Sequence, residues 1–164
     1  KYFLKVKKLK IASIVGTHIT NPWLIDELKK DKIRFYKTKV GDRNVIDKQI
    51  QTKSYLGFET SGHISINYIM DGIFASGLFR EILEHNEEII SQVLKQKITY
   101  RLFKTNIDKS KFIKIKKILS SIKNTKVKFV IRKSIFEDVF RVYIFYINLY
   151  DVKKHINYLQ KLSK

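Results

Sequence analysis

The chain has no cysteine, one proline, six glycines and one methionine among its 164 residues. Without cysteine there is no disulfide and no thiolate metal site, and a cytoplasmic location fits such a chain. Acidic side chains are also short: 15 Asp and Glu stand against 34 Lys and Arg, for a formal charge of +19. There is no run of about 18 uncharged apolar residues, so neither a transmembrane helix nor a membrane partner is expected. The opening stretch Lys1-Tyr2-Phe3-Leu4-Lys5 mixes lysine into its apolar residues and offers no signal-peptide core or small-residue cleavage site. Position 1 is not Met, which fits a piece of a longer chain.

Hydrophobic residues make up 44% of the chain, enough for a core. The length suits one medium domain or two small ones. The positive charge has two readings. One is nucleic-acid binding. The other is compositional: Lys, Ile, Asn, Phe and Tyr rise together while Gly, Ala and Pro fall, as an A+T-rich coding genome produces. The lysines are spread along the whole chain, and most aromatics sit on apolar stripes. The compositional reading is therefore favoured and nucleic acid is the weakest candidate partner. A positive field would still draw in a phosphorylated substrate.

The element pattern alternates over the first part. Residues 10–16 read as a buried strand. Asn21-Pro22 reads as a cap and first helical position, with Leu24, Ile25 and Leu28 on the inner stripe as far as about Lys30. Residues 33–38 read as a second strand. Gly41-Asp42-Arg43 reads as a polar turn, with Asn44 capping a short helix that carries Val45, Ile46 and Ile50. Residues 64–69 alternate as a strand. Asp71-Gly72 then opens a long helix with Ile73, Phe74, Leu78, Ile82, Ile89, Ile90 and Val93 inward. This order predicts an α/β layered fold. From about residue 96 the pattern changes. A strand over 98–104 precedes a helix over 109–123 with Phe112, Ile115, Ile118, Leu119 and Ile122 inward. Antiparallel strands follow over 127–132 and 139–147, and Asp151 caps a last helix carrying Val152, Ile156, Leu159 and Leu162. That is a small α+β unit, so the expected domains are 1–95 and 96–164.

Between these elements lies Leu56-Gly57-Phe58-Glu59-Thr60-Ser61-Gly62-His63. Two glycines bracket a carboxylate, hydroxyls and an imidazole, which makes a loop. Such a set suits a polyhydroxyl ligand, and equally an ordinary surface turn.

Three stretches carry a family resemblance. Val15-Gly16-Thr17-His18-Ile19-Thr20-Asn21 resembles V-G-T-V-M-S-N. Thr38-Lys39-Val40-Gly41-Asp42-Arg43-Asn44-Val45 is similar to T-x-V-G-D-R-Y-V. Leu56 to Ile64 is similar to L-G-G-E-Q-S-G-H-I, and Asp71-Gly72 falls where the family has G-D-G. In order and spacing these look like the phosphohexomutase (phosphoglucomutase/phosphomannomutase) superfamily, nearest its phosphoglucosamine mutase branch. The resemblance is convincing over about residues 10–95 and weak beyond. It implies most of a third, three-layer α/β/α domain followed by a fourth, TBP-like domain. It implies phosphoryl transfer between an active-site phosphoserine and a hexose phosphate through a bisphosphate, here glucosamine 6-phosphate to glucosamine 1-phosphate. Glu59 and Ser61 would then bind ring hydroxyls, which a carboxylate and a hydroxyl do by accepting and donating. His63 would contact the ligand or brace the loop. Asp42 and Arg43 would face the sugar, or form a surface ion pair of little energetic consequence.

The chain also departs from the family. The fourth-domain loop R-P-S-G-T-E-P corresponds to Arg132-Lys133-Ser134-Ile135-Phe136-Glu137-Asp138, with Arg141-Val142 after it. Arg132, Ser134 and Lys133 remain as candidate phosphate contacts. Ile135 and Phe136 replace the small residues that phosphate cradles need, so a plain hairpin turn is the competing reading. No T-A-S-H-N-P-like phosphoserine loop and no D-G-D-x-D-R-like magnesium loop occurs. Mg2+ is expected of the complete enzyme, with no ligands in this chain. The expected partners are a hexose or hexosamine phosphate and the missing N-terminal mutase domains. The chain alone then lacks the nucleophile and the metal. A non-catalytic or decayed phosphomannomutase or phosphoglucomutase remnant is the alternative. Gly41-Asp42-Arg43 leans towards glucosamine phosphate, with mannose and glucose phosphates left open.

Overall fold

The computed structural model describes residues 10–163 apart from 86–87, 89–90, 93–94, 96–98 and 135–136. The expected inward Ile89, Ile90 and Val93 lie outside the described residues, as do Ile135 and Phe136. Backbone contacts divide the chain into two compact units that part between residues 97 and 98, with residues 21–23 grouped with the second. Each is described by itself.

The first unit runs β1 (Ser13–Thr17), α1 (Pro22–Lys30), β2 (Arg34–Thr38), α2 (Asp42–Thr52), β3 (Leu56–Phe58), β4 (Ile64–Ile66) and α3 (Gly72–His85). The sheet order is β2-β1-β3-β4. β1 pairs in parallel with β2 and β3, and β4 returns antiparallel to β3. Adjacent strand residues point to opposite faces, and β1 uses both. Ile14, with Leu24, Phe35 and Leu56, packs against the buried Ile11, Leu28 and Ile33, on the α1 face. Its neighbour Val15 is fully buried and lies in register with Gly57, which lies against Val45 and Gln49 of α2. Ile14 and Leu56 also line a cavity with Ala75, Leu78 and Ile82 of α3. Helices therefore cover both faces, and the expected α/β/α layering is present.

Local chemistry sets the ends. The Asn21 side chain accepts from the Trp23 N–H at 2.9 Å, as an N-cap does before a helix-starting proline. Asn21→Ala is expected to cost about 1 kcal/mol, read from denaturant unfolding. Four expectations change. α2 starts at Asp42, not after Asn44, because Gly41 at φ 127 turns the chain straight into the helix. Asn44 instead donates to the Val40 carbonyl at 3.0 Å. On α2, Ile50 faces solvent and Gln49 takes the buried place. β4 stops at Ile66, because Asn67 and Tyr68 adopt left-handed conformations and Ile66 and Ile69 exchange backbone hydrogen bonds around them. Finally, Ile73 and Phe74 are 87% and 54% exposed, although periodicity put them inside.

The second unit is β5 (Arg101–Asp108), α4 (Phe112–Ser120), β6 (Lys128–Lys133), β7 (Val139–Tyr146) and α5 (Lys153–Leu162). The sheet is antiparallel in the order β5-β7-β6. Ile107, Val142 and Ile144 pack against Ile115, Leu119, Ile156 and Leu159 of the two helices. The expected helices-on-antiparallel-sheet unit is thus present. Its first strand lies later than the predicted 98–104, and its first helix starts at Phe112 after a 3-10 turn over Lys109–Lys111. Asp151 does not cap the last helix. It sits in a 3-10 turn, Leu149–Asp151, capped by Asn148, whose side chain accepts from the Tyr150 N–H at 3.0 Å. Among the described residues no helix is long and apolar enough to cross a membrane.

Candidate functional site

Parallel strands leave their loops at one edge of a sheet, and α/β folds bind ligands outside the carboxyl ends of their strands. Here β1, β2 and β3 run the same way. The segments after them, 18–21, 39–41 and 59–63, therefore share that edge. All three stretches that carried the family resemblance reach it.

The loop after β3 is tied to the start of α2 at two points. The Glu59 carboxylate is nine-tenths buried, and its Oε1 accepts the Gly41 N–H at 2.5 Å. Its Oε2 accepts from the Ser61 hydroxyl at 3.3 Å. The second tie is His63 Nδ1 to Asp42 Oδ1, at 2.9 Å. The loop closes on itself as well. The Glu59 N–H donates to the His63 carbonyl at 2.8 Å, and the Gly62 N–H to the Glu59 carbonyl at 3.1 Å, with Gly62 at φ 100. That conformation suits glycine. So Gly62→Ala is expected to destabilise the loop by about 1–2 kcal/mol, measured as faster amide exchange at residues 59–63.

Of the residues named from sequence, Glu59, Ser61, His63 and Asp42 come together. Arg43 does not join them. Its side chain is 94% exposed and points along α2 to Asp47 at 3.9 Å. The Gly41 backbone N–H is a member of the site that residue types alone did not reveal. Only its place beside Asp42 in the G-D-R stretch signalled it. The hydrogen bond from Asp42, and then its charge, raise the His63 pKa above the ordinary imidazole value, with a smaller push from Glu59. A raised pKa means that folding favours the protonated ring. That contribution is complete below the ordinary value and is lost as pH climbs through the raised one.

Ligand atoms of Asp42, Glu59 and His63 lie within 4.8 Å of one another. They are a poor match to Mg2+, which wants octahedral oxygen ligands and keeps several waters. One of the three groups is an imidazole, and Glu59 Oε1 already serves Gly41. No magnesium-dependent step is therefore placed on these residues.

In the second unit, Arg132 on β6 is in register with Arg141 on β7, so both side chains leave the same face. Ser134 is buried, and its hydroxyl accepts from the Glu137 N–H at 3.2 Å. Arg141 Nη2 donates to Glu137 Oε2 at 2.8 Å. This bond, and then the Arg141 charge, hold the Glu137 carboxyl below the usual range. Lys133 ends β6 with its side chain exposed. The turn therefore groups Arg132 and Ser134 with a Glu137–Arg141 pair that sequence reasoning noted without giving it a role.

A model of the phosphoglucomutase/phosphomannomutase α/β/α domain III matches residues 1–100. Phosphoglucosamine mutase of Dictyoglomus turgidum is 33% identical over 87% of this chain and 34% of its own length. That of Buchnera aphidicola is 33% identical over 99% of this chain and 40% of its own. The structure of Aspergillus fumigatus N-acetylphosphoglucosamine mutase in complex with GlcNAc-6P and magnesium superposes with a TM-score of 0.69 at 17% identity, over 96% of this chain and 42% of that one. The chain thus spans between a third and about two fifths of the length of these proteins.

Proposed function

We propose that this chain, which belongs to the phosphoglucomutase/phosphomannomutase family, is the sugar-phosphate-recognising C-terminal part of a phosphoglucosamine mutase. Residues 1–95 would be the C-terminal portion of the third domain of such an enzyme and residues 96–164 the fourth. The observation that carries the reading is the tied loop. Glu59, Ser61 and His63 are held at the carboxyl edge of a parallel sheet, with a carboxylate positioned by a backbone N–H.

The mechanism of this part is recognition. Glu59 Oε2 and the Ser61 hydroxyl offer one acceptor and one donor-acceptor to ring hydroxyls, and such bonds to a charged group are the stronger kind. A ring turned end for end presents similar hydroxyls, so the pair serves both orientations that a bisphosphate intermediate must adopt. Arg132, with Lys133 and the Ser134 hydroxyl, would hold a phosphate through charge and donors. The phosphoryl group itself would be carried by the serine of the missing domains. Mg2+ held by those domains would neutralise charge on the transferring phosphate.

The test is reconstitution. The phosphoserine- and metal-bearing domains of a phosphoglucosamine mutase, expressed separately, are mixed with this chain and glucosamine 6-phosphate. Glucosamine 1-phosphate is expected from the mixture with Mg2+ and from neither part alone. A mixture that stays inert although the parts associate would favour the decayed-remnant reading. Arg132→Ala is expected to weaken glucose 1,6-bisphosphate binding about tenfold, the equivalent of about 1.4 kcal/mol from one charged hydrogen bond, measured by calorimetry.

A further inference from the structure

We infer that Asp42 is a positioning residue for His63, fixing the ring through Nδ1 so that Nε2 is the nitrogen left for a ligand oxygen. The use of Nε2 rests on the sugar-phosphate reading of the loop. The Asp42–His63 pair itself does not.

Residues 41 and 42 grip the loop twice within one step of chain. The Gly41 N–H holds Glu59, and the Asp42 carboxylate holds His63, 21 residues away. Asp42 is itself set by structure, in the first turn of α2, where a carboxylate is favoured by the helix dipole. The His63 side chain is more than half exposed. Exposed side chains exchange rotamers freely unless a partner holds them. With Nδ1 engaged, the ring has one orientation and one free nitrogen. No protein partner of Nε2 is found among the described residues. Asp42, Gly62 and His63 form one wall of an open cavity of about 720 Å3 that α3 closes with Ala75, Phe79 and Leu83.

Two states of the ring follow. Protonated, both nitrogens donate, and Nε2–H meets a hydroxyl or phosphate oxygen as a charged donor. Neutral, Nδ1–H still donates to Asp42, and Nε2 becomes an acceptor. Asp42 therefore selects the tautomer as well as the direction. The charged groups around His63 are Asp42 and, at 4.0 Å, Glu59. Asp71 and Arg80 line the same cavity, and Arg80 pairs with Glu84 at 2.6 Å. Arg43, next to Asp42, points instead to Asp47.

Imidazole NMR of the full chain tests this without any ligand. His63→Gln assigns the His63 signal among the four histidines. In the wild-type chain that signal is expected to titrate above the ordinary imidazole value with Nδ1 protonated at high pH. Asp42→Asn is expected to shift the titration down towards the ordinary value, and Asp42→Glu to recover part of the shift. Asp47→Asn removes the same charge from the same helix without touching His63, and is expected to leave the titration nearly unchanged. An unchanged titration in Asp42→Asn, or an equal fall in Asp47→Asn, would overturn the inference. A second readout uses glucosamine 6-phosphate. Asp42→Asn is expected to weaken its binding several-fold, with partial recovery in Asp42→Glu. If no variant and no wild-type chain binds the sugar phosphate while the titration shift stands, the sugar reading fails and the pair survives.

Discussion

Glu59→Ala is expected to abolish measurable binding of glucosamine 6-phosphate while both units stay folded. Glu59 does two jobs from one side chain. Oε1 anchors the loop to the Gly41 N–H, and Oε2 stands beside the Ser61 hydroxyl at the open edge. A hydrogen bond to a charged group contributes about 1.5–3 kcal/mol. Losing one such bond to the sugar, and the loop's anchor with it, predicts an affinity loss of about a hundredfold at roughly 1.4 kcal/mol per tenfold. Glu59→Gln separates the two jobs. Its amide oxygen keeps an acceptor for Gly41 but carries no charge, so its loss should be the smaller. Calorimetry on the three proteins at equal concentration checks the order wild type, Gln, Ala. Equal binding by all three would place the sugar elsewhere.

The second large effect concerns the fold. Gly57→Ala is expected to destabilise the first unit by about 1–3 kcal/mol, the usual cost of overpacking a filled interior. A Cβ at Gly57 would lie 2.5 Å from Gln49 Oε1 and 2.6 Å from Val45 Cγ1. Gln49 is fully buried and donates to the Ser54 and Tyr55 carbonyls at 3.3 Å each, so it has little room to retreat. A loss of that size lowers the melting temperature of a domain this small by about 4–8 °C per kcal/mol. Gly57→Ala combined with Gln49→Ala should cost less than the sum of the two single changes, because the two side chains compete for one space. Strict additivity in thermal melts would mean that α2 does not approach β3 this closely.

Both predictions turn on features that the sequence displays unequally. Asn21-Pro22 was legible because a cap and a fixed φ are properties of adjacent residues. The loop was legible because glycine punctuates it in a glycine-poor chain, but its reading began at Leu56, and Leu56–Phe58 instead form β3, paired with β1 and β4. The two strands at 127–132 and 139–147 were legible as apolar runs, but which of their residues face the helices was not: Val142 and Ile144 pack against them. Other features depend on partners far along the chain. The Gly41 N–H that holds Glu59 is a backbone donor, and a backbone donor has no residue type to announce it. The start of α2 depends on φ at Gly41, and no periodicity records a φ. Ile73 and Phe74 fit an apolar stripe, but a stripe does not say how far the sheet extends beneath a helix. β4 is three residues long and ends in the left-handed pair Asn67-Tyr68. At the other candidate site, Glu137 and Arg141 were visible as matching letters. That Glu137 engages Arg141 while its N–H donates to the Ser134 hydroxyl is tertiary geometry.

The most direct test of the sugar-phosphate reading is an amide NMR titration of the isotope-labelled chain with glucosamine 6-phosphate, run beside inorganic phosphate. Saturable shifts at Gly41, Ser61, Gly62 and His63 with the sugar phosphate, weaker with phosphate alone and absent in Glu59→Ala, are the predicted result. A titration that leaves residues 41 and 59–63 unmoved, or moves them equally with inorganic phosphate, would contradict it.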